Sequence, residues 1–383
     1  MKKKICWITS DSFLDVDKDI VVSLANHFTI SWYVVITLNN SLYKYNLEEL
    51  SLFAQQHRVK PHTIYQKVKY KNPLTIPIYF KLFKKVKLES PSIVYSNIFG
   101  MPFYHPILYL FGFKNNVYAT HDVIEHVDIK YRKLIVIYKS FVYKAFKNFH
   151  LFSRTQQHYF MSKYPKKNSF YAPLHLKDFG KSDKTPPKDK VVFLFFGSIR
   201  ENKGLEVLID ATRILSHERP GNFSVKISGY SDNWGYYEKL IGEDKHMFEL
   251  DIRKIPNKEI PDLYSAAHYL VLPYRDVTQS GPLYIAYNYR VPAITSDLPG
   301  FRETICPDKN GFVFDVGDPT SLANQMRKVV DNHPRLYDNV RKNLMHYVDT
   351  TMSVDAIIDR YVDFFNSIAA RLKDSKFVHS FNY

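Results

Sequence analysis

Short apolar runs separated by amphipathic stretches set the rhythm of this chain. Lys4–Thr9 is one such run, closed by Ser10-Asp11-Ser12, the pattern of a strand buried on both faces and followed by a loop. Asp17–Phe28 has helical spacing and Ile30–Thr37 is a second apolar run, while Ser92–Ser96 and Val117–Thr120 repeat the theme of a short strand ending in polar residues. Strand and helix patterns that alternate in this way predict an α/β protein built on a doubly wound parallel sheet. Leu134–Phe149 reads as an amphipathic helix, with Ile137, Tyr138, Phe141, Val142, Ala145 and Phe149 on one face and Lys133, Lys144 and Lys147 on the other.

The rhythm breaks at Lys181–Lys190, a polar stretch with a proline pair and no apolar period, which reads as a linker. It then restarts. Val191–Phe196, Ser224–Ser228, Leu270–Leu272, Pro292–Thr295 and Gly311–Phe314 read as strands, with helices over Leu205–Leu215, Ile260–Ala267 and Leu283–Tyr289. Two doubly wound domains, residues 1–180 and 191–350, are the economical division. In the remaining segment, 351–383, a helix over about Val354–Leu372 puts Ile357, Tyr361, Phe365, Ile368 and Leu372 on one stripe, suited to packing on a domain surface.

Composition agrees with large cores: 45% of the 383 residues are hydrophobic and 16% aromatic, which excludes a disordered or collagen-like chain. Charge changes the picture more. The formal net charge is +15, but residues 1–190 hold 30 Lys/Arg against 13 Asp/Glu, and residues 191–383 hold 23 against 25. Ser51–Leu88 and Ile129–Lys177 contain no acidic residue at all. A basic excess confined to one half points to a polyanionic partner there, either nucleic acid or an anionic membrane surface. No recognised nucleic-acid motif accompanies the basic residues. Two cysteines, Cys6 and Cys306, give no disulfide framework or metal cluster; both read as small buried hydrophobes in a reducing compartment. The charge-free windows Ile20–Tyr43 and Ser90–Phe113 are interrupted by Asn, His or Pro, so neither reads as a membrane span. The expectation is a cytoplasmic protein, soluble or peripheral on the inner face of the cell membrane.

In open α/β sheets ligands bind beyond the carboxyl ends of the strands. The loop after Val191–Phe196 reads Gly197-Ser-Ile-Arg200-Glu-Asn-Lys203-Gly204. Its glycine permits a tight turn, and its two cations flank a helix N-terminus, a combination suited to a diphosphate. The loop after Leu270–Pro273 carries Asp276, Thr278, Gln279, Ser280 and Gly281 ahead of Pro282, a capped helix start that again favours an anion. Asp297-Leu-Pro-Gly300-Phe-Arg-Glu303 is a third strand-end loop, which would bring Glu303 toward the same site.

Taken together, Gly197–Gly204, Ile260–Pro273, Thr278–Gly281, Arg290-Val-Pro292, Pro299–Glu303 and Asn310–Asp315 resemble, in order and spacing, the C-terminal domain of family 4 retaining glycosyltransferases. The resemblance spans about Val191–Val330. It implies the GT-B fold, two Rossmann-like domains with an interdomain cleft, in which the C-terminal domain holds a nucleotide-sugar donor and the N-terminal domain the acceptor, and the last helix crosses back to the first domain. By the same resemblance, Arg200 and Lys203 bind the donor diphosphate and stabilise its departure, with no metal or other cofactor expected. Gly197, Thr278, Gln279, Ser280, Gly281 and Glu303 complete the donor site. The family's paired glutamates align with Thr278 and Ala286, so this chain resembles a subgroup variant that lacks them.

In the first half, the segment Thr120–His126 resembles the family's strand-end histidine segment and places His121 beside the donor sugar, as a catalytic or acceptor-steering group. Asp11, Asp15 and Asp17 stand where acceptor hydroxyls would be held. The activity implied is transfer of a sugar from a nucleotide sugar to a glycan, lipid-linked, in cell-surface polysaccharide synthesis, with the basic half against an anionic membrane and Tyr79–Leu88 lying on its headgroups. Two alternatives stay open on the sequence: another GT-B enzyme, such as an inverting transferase or nucleotide-sugar epimerase, and a nucleic-acid binder.

Overall fold

The computed structural model describes residues 2–37, 47–57, 59–98, 100–113, 115–123 and 132–379. The chain divides into two compact units, Met1–Leu174 with Val354–Tyr383, and His175–Ser353. Residues 181–190, read as a linker, carry no helix or strand and are counted with the second unit.

The first unit contains strands β1 (Lys4–Ser10), β2 (Thr29–Thr37), β3 (Pro61–Gln66), β4 (Ile93–Asn97), β5 (Asn116–Thr120), β6 (Asn148–Leu151) and β7 (Asn168–Tyr171). They form one parallel sheet in the order β3-β2-β1-β4-β5-β6-β7. Alternate residues point to opposite faces. Cys6, Ile8, Tyr33, Val35 and Val94 join a core with Tyr79, Leu82, Phe83 and Val86 of the helix Ile76–Leu88. On the other face Trp7 stacks on Tyr95 at 3.7 Å. Tyr361 and Phe365 of the helix Val354–His379 reach that pair with ring centroids 5.8 and 6.4 Å from Trp7. Ile357, Tyr361, Phe365 and Ile368 of the expected stripe are buried; the side chain of Leu372 lies outside the described residues, as do Glu125 and His126.

The second unit contains β8 (Val191–Phe196), β9 (Phe223–Ser228), β10 (Phe248–Asp251), β11 (Tyr269–Leu272), β12 (Ala293–Ser296) and β13 (Gly311–Phe314). They too are parallel, in the order β10-β9-β8-β11-β12-β13. Phe193, Phe195, Val225, Ile227, Tyr269, Val271 and Ile294 meet the helices Leu205–Glu218 and Pro319–Asp331 in one core. Both sheets are of the doubly wound kind that the alternating pattern predicts.

Three expectations fail. The helix over Leu134–Phe149 ends at Ala145, and Phe149 belongs to β6, where pairing with β5 and β7 buries all four residues. On that helix, Ile137 and Phe141, expected inside, are 67% and 38% exposed; its buried residues include Lys139, Val142 and Tyr143, with Tyr138 packed against the core from its edge. Cys306 is exposed, unlike Cys6; it opens a turn in which the amides of Lys309 and Asn310 donate to its carbonyl. Among the described residues no helix is long and apolar enough to cross a membrane.

Candidate active site

In the second sheet the strand order reverses between β8 and β11. Crossovers that leave toward opposite faces open a crevice at the carboxyl ends of those two strands. The loops that follow them are the two that the sequence singles out. Gly197 closes β8 with a φ of 126°, and a β-carbon there would stand 3.4 Å from Pro282 Cγ, so the first loop lies directly against the start of the helix Gly281–Asn288. Gly204 is left-handed, with a φ of 62°, and a β-carbon there would fall 1.9 Å from the carbonyl oxygen of Pro273. The amide of Arg275 donates to Asn202 O at 2.9 Å, and its guanidinium bonds Glu206 Oε1 at 2.6 and 2.9 Å. Both contacts pin the two loops together.

This clamp sets the surroundings of Lys203. Its Nζ sits 3.7 Å from the centre of the Tyr274 ring, and Tyr274 is buried beneath it. Partial desolvation, with the nearby charge of Arg200, lowers the ammonium pKa to about 8, against an opposing pull from Asp276. Burial pushes the Tyr274 phenol up to about 12. Arg200 is exposed and caps the short turn Glu201–Lys203 in extended backbone conformation. The site therefore holds one half-buried cation on an aromatic platform and one exposed cation at its rim.

The helix start beyond it is under-satisfied. Ser280 caps Gly281–Asn288 without a side-chain bond. The Nε2 of Gln279 is a buried polar atom with no hydrogen-bond partner, an arrangement costly enough to invite a ligand, while the buried Ser280 hydroxyl lies against the Tyr274 phenol. Thr278 is half-buried in the same loop. Gly300 lets the third loop close on the second: a β-carbon there would stand 2.6 Å from Val277 O and 3.0 Å from Thr278 O. Glu303 ends the short helix Pro299–Arg302 on that third loop and is half-buried. Gly197, Lys203, Gln279, Ser280 and Gly281 are thus brought together, with Thr278 and Glu303 on adjoining backbone.

His121, Asp11 and Asp15 belong to the first unit, whose sheet reverses order between β1 and β4. His121 follows β5 and lies between two parallel rings, Phe13 and Phe152, each with its centroid 4.2 Å away. Its Nε2 is 3.0 Å from Asn97 Oδ1, at the end of β4. The Nδ2 of Asn97 donates to Asp17 Oδ1 at 2.9 Å. The other Asp17 oxygen accepts from Trp7 Nε1 at 2.9 Å and from the Thr9 hydroxyl. Burial raises the Asp17 carboxyl to about 7, the three donors working against that rise. Asp11 is also buried; its carboxylate accepts the Thr37 amide at 3.1 Å, and burial raises its pKa. Asp15 is half-buried on the helix Leu14–Leu24. Reading the sequence missed Asn97, left Tyr274 without a role and set Asp17 among the groups for acceptor hydroxyls, whereas Asp17 is fully buried with both oxygens taken by Trp7, Thr9 and Asn97. A polar residue ending a strand next to the order reversal was the available signal for Asn97.

Residues 177–346 match the family profile described as Glycosyl transferases group 1. No curated protein matches the sequence. A glycosyltransferase from Rickettsia africae ESF-5 is similar to the chain, with a TM-score of 0.73 and 15% identity over 96% of this chain and 98% of that one. Anabaena HepE, crystallised in complex with UDP and glucose, gives 0.70 and 14% over 95% and 100%. Sucrose-phosphate synthase from Thermosynechococcus elongatus gives 0.72 and 14% over 97% and 100%. At these identities the likeness is one of fold, and the fold is GT-B, with two Rossmann-like α/β domains. With the group 1 profile in its second unit, the protein is a glycosyltransferase.

Because Gly204 holds a left-handed conformation against a carbonyl, Gly204→Ala is expected to destabilise the second unit by about 2 kcal/mol or more. Urea unfolding checks this, with a lowered midpoint as the expected result; an unchanged midpoint would show that the two loops are not clamped.

Proposed function

We propose that the protein is a retaining transferase of the family 4 type, a variant without the paired glutamates, which moves a sugar from a nucleoside-diphosphate sugar to a lipid-linked glycan during cell-surface polysaccharide synthesis. The observation that carries this reading is Lys203, a half-buried cation clamped beside the unsatisfied start of the helix Gly281–Asn288. A departing diphosphate gains negative charge as the bond from the anomeric carbon to its oxygen breaks. Fixed cations aimed there stabilise the transition state. Lys203 and Arg200 fill that part, and no metal is needed for it. Gln279 Nε2 donates to the sugar or phosphate, and Ser280 Oγ does the same. The acceptor hydroxyl attacks the face that the diphosphate leaves and gives its proton to the departing phosphate oxygen. That geometry retains anomeric configuration and needs no enzymatic nucleophile. Donor orientation falls to Thr278, Glu303 and the Gly197 and Gly281 backbone, and Asp11, Asp15 and His121 belong to the acceptor side.

The membrane part of the reading has its own support. On the helix Ile76–Leu88, Tyr79, Leu82, Phe83 and Val86 face the core, while Phe80, Leu88 and four lysines (81, 84, 85 and 87) are exposed. Leu134, Val136, Ile137 and Phe141 are exposed on the helix Arg132–Ala145, and Phe141 meets Tyr109 at 6.0 Å. Apolar side chains ringed by lysine suit an anionic bilayer, where each basic residue contributes about 1 kcal/mol.

Lys203→Ala is expected to remove donor turnover, measured as release of nucleoside diphosphate; activity like the wild type's would sink the diphosphate assignment. UDP, which HepE binds, is the first probe. Since Lys203 must be charged to hold it, UDP affinity should be level below about pH 8 and fall up to tenfold per unit above it. Calorimetry checks this, and Lys203→Arg should abolish the dependence because a guanidinium stays charged. NMR of the glycoside product should show the donor's anomeric configuration; inversion would favour another GT-B enzyme. Sedimentation with anionic liposomes should pull the protein down at low salt, and Ile137→Glu with Phe141→Glu should release it. Binding indifferent to both would remove the membrane from the proposal.

A further inference from the structure

Asp17 is a fully buried carboxyl that the transfer chemistry leaves without a task. It lies in the first unit, at the order reversal of the sheet, and its bonds lead in two steps to His121. We propose that Asp17, acting through Asn97, dictates which nitrogen of His121 carries the proton, so that Asp17 and Asn97 are positioning residues for His121. The proposal deepens the transferase reading and rests on it for its role in activity.

The argument is one of donors and acceptors. An indole N–H only donates, so the Asp17 oxygen facing Trp7 Nε1 at 2.9 Å must accept. The second oxygen accepts from Asn97 Nδ2 at 2.9 Å. That bond turns the amide so that its oxygen faces His121 Nε2 at 3.0 Å. An amide oxygen only accepts, so Nε2 must donate. In the neutral ring Nδ1 is then an acceptor, and whatever the ring meets through that atom it meets as an acceptor, a hydroxyl hydrogen of a sugar included. Protonation of Asp17 on the oxygen beside the Thr9 hydroxyl leaves the one facing Asn97 unchanged. Phe13 and Phe152 hold the ring plane, with interplanar angles of 8° and 15°, and the Asn97 bond fixes its rotation within that plane. Asn97 itself is fully buried, so water does not substitute for either partner.

Asp17→Asn makes the logic testable. Trp7 still requires an acceptor, so the new amide turns its oxygen to the indole and its NH2 group to Asn97. Asn97 must then turn over, offer its own NH2 to His121 Nε2, and move the ring proton to Nδ1. Long-range 1H–15N correlation spectra of the full-length, histidine-labelled protein read the two tautomers directly. His121 is assigned by the signal lost in His121→Gln, and spectra are taken at a pH where the ring is neutral. The wild type should show Nε2–H and Asp17→Asn should show Nδ1–H. A wild-type ring protonated on Nδ1 would overturn the proposal, and so would a folded Asp17→Asn retaining Nε2–H. Should Asp17→Asn fail to fold, Asn97→Leu serves, with both tautomers expected; a single unchanged Nε2–H form counts against the relay. None of these readouts involves a sugar. An inverted tautomer with unchanged kcat/KM would uphold the relay and remove His121 from the transferase reading.

Discussion

The reversal of strand order in each sheet is the constraint on which the chemistry depends. A right-handed crossover from β1 or β8 must leave on one side of its sheet, and the crossovers of the second half must leave on the other. The carboxyl ends of the two strands between which the order changes therefore border a crevice. Thr9 and Asn97 are the last paired residues of the strands flanking the reversal in the first unit. Gly197 and the Tyr274 loop follow those flanking it in the second. Close approach is then a matter of glycine. Gly204, Gly229 and Gly300 each bring backbone within a distance that no β-carbon tolerates.

The two crevices use this position in opposite electrostatic ways. In the second unit a cation is partly stripped of water and laid on an aromatic face, with Arg200 close enough to weaken its hold on the proton. Binding a diphosphate there relieves repulsion and desolvation together. In the first unit the groups are the buried Asp17 and Asn97 and the half-buried His121, linked by hydrogen bonds whose direction is set by an indole that can only donate. Such a chain supplies orientation rather than charge. The basic excess of the first half lies elsewhere, on exposed helix faces such as Lys81–Lys87.

Much of this was legible in the residue pattern. Strands buried on both faces, such as Val191–Phe196, announce themselves as unbroken apolar runs, and the Gly197–Gly204 loop follows from the strand before it. The short strands β6 and β7 were not legible, because Asn148-Phe149-His150-Leu151 holds two polar residues that become buried through pairing and through His150 bonding Tyr95 and the Ala172 carbonyl. The exposed face of Arg132–Ala145 misled for the same reason in reverse: its apolar residues run more than halfway round the helix, so periodicity names two candidate inner faces and only tertiary packing chooses. Lys203 was legible from its neighbours in sequence. Its platform Tyr274 and the relay through Asn97 were not, since each joins residues brought together only by the sheet.

Asp17 and Lys203 both burden the fold, and they do so in opposite directions of pH. Asp17 is raised to about 7 from 3.8, so the folded state disfavours its charge; that cost is absent below the unfolded value and complete above about 7. Lys203 is lowered to about 8 from 10.5, so its cost is complete below about 8 and disappears above the unfolded value. Between about pH 7 and 8 both are nearly at full size, whereas many proteins are most stable in that neighbourhood. A group selected for stability alone would have been paired or replaced. Lys203 is instead held ready for an anion whose binding raises its pKa toward the ordinary value, and Asp17 is held among donors that give its geometry one reading. The strain at neutral pH is therefore located where ligand binding and proton placement need it.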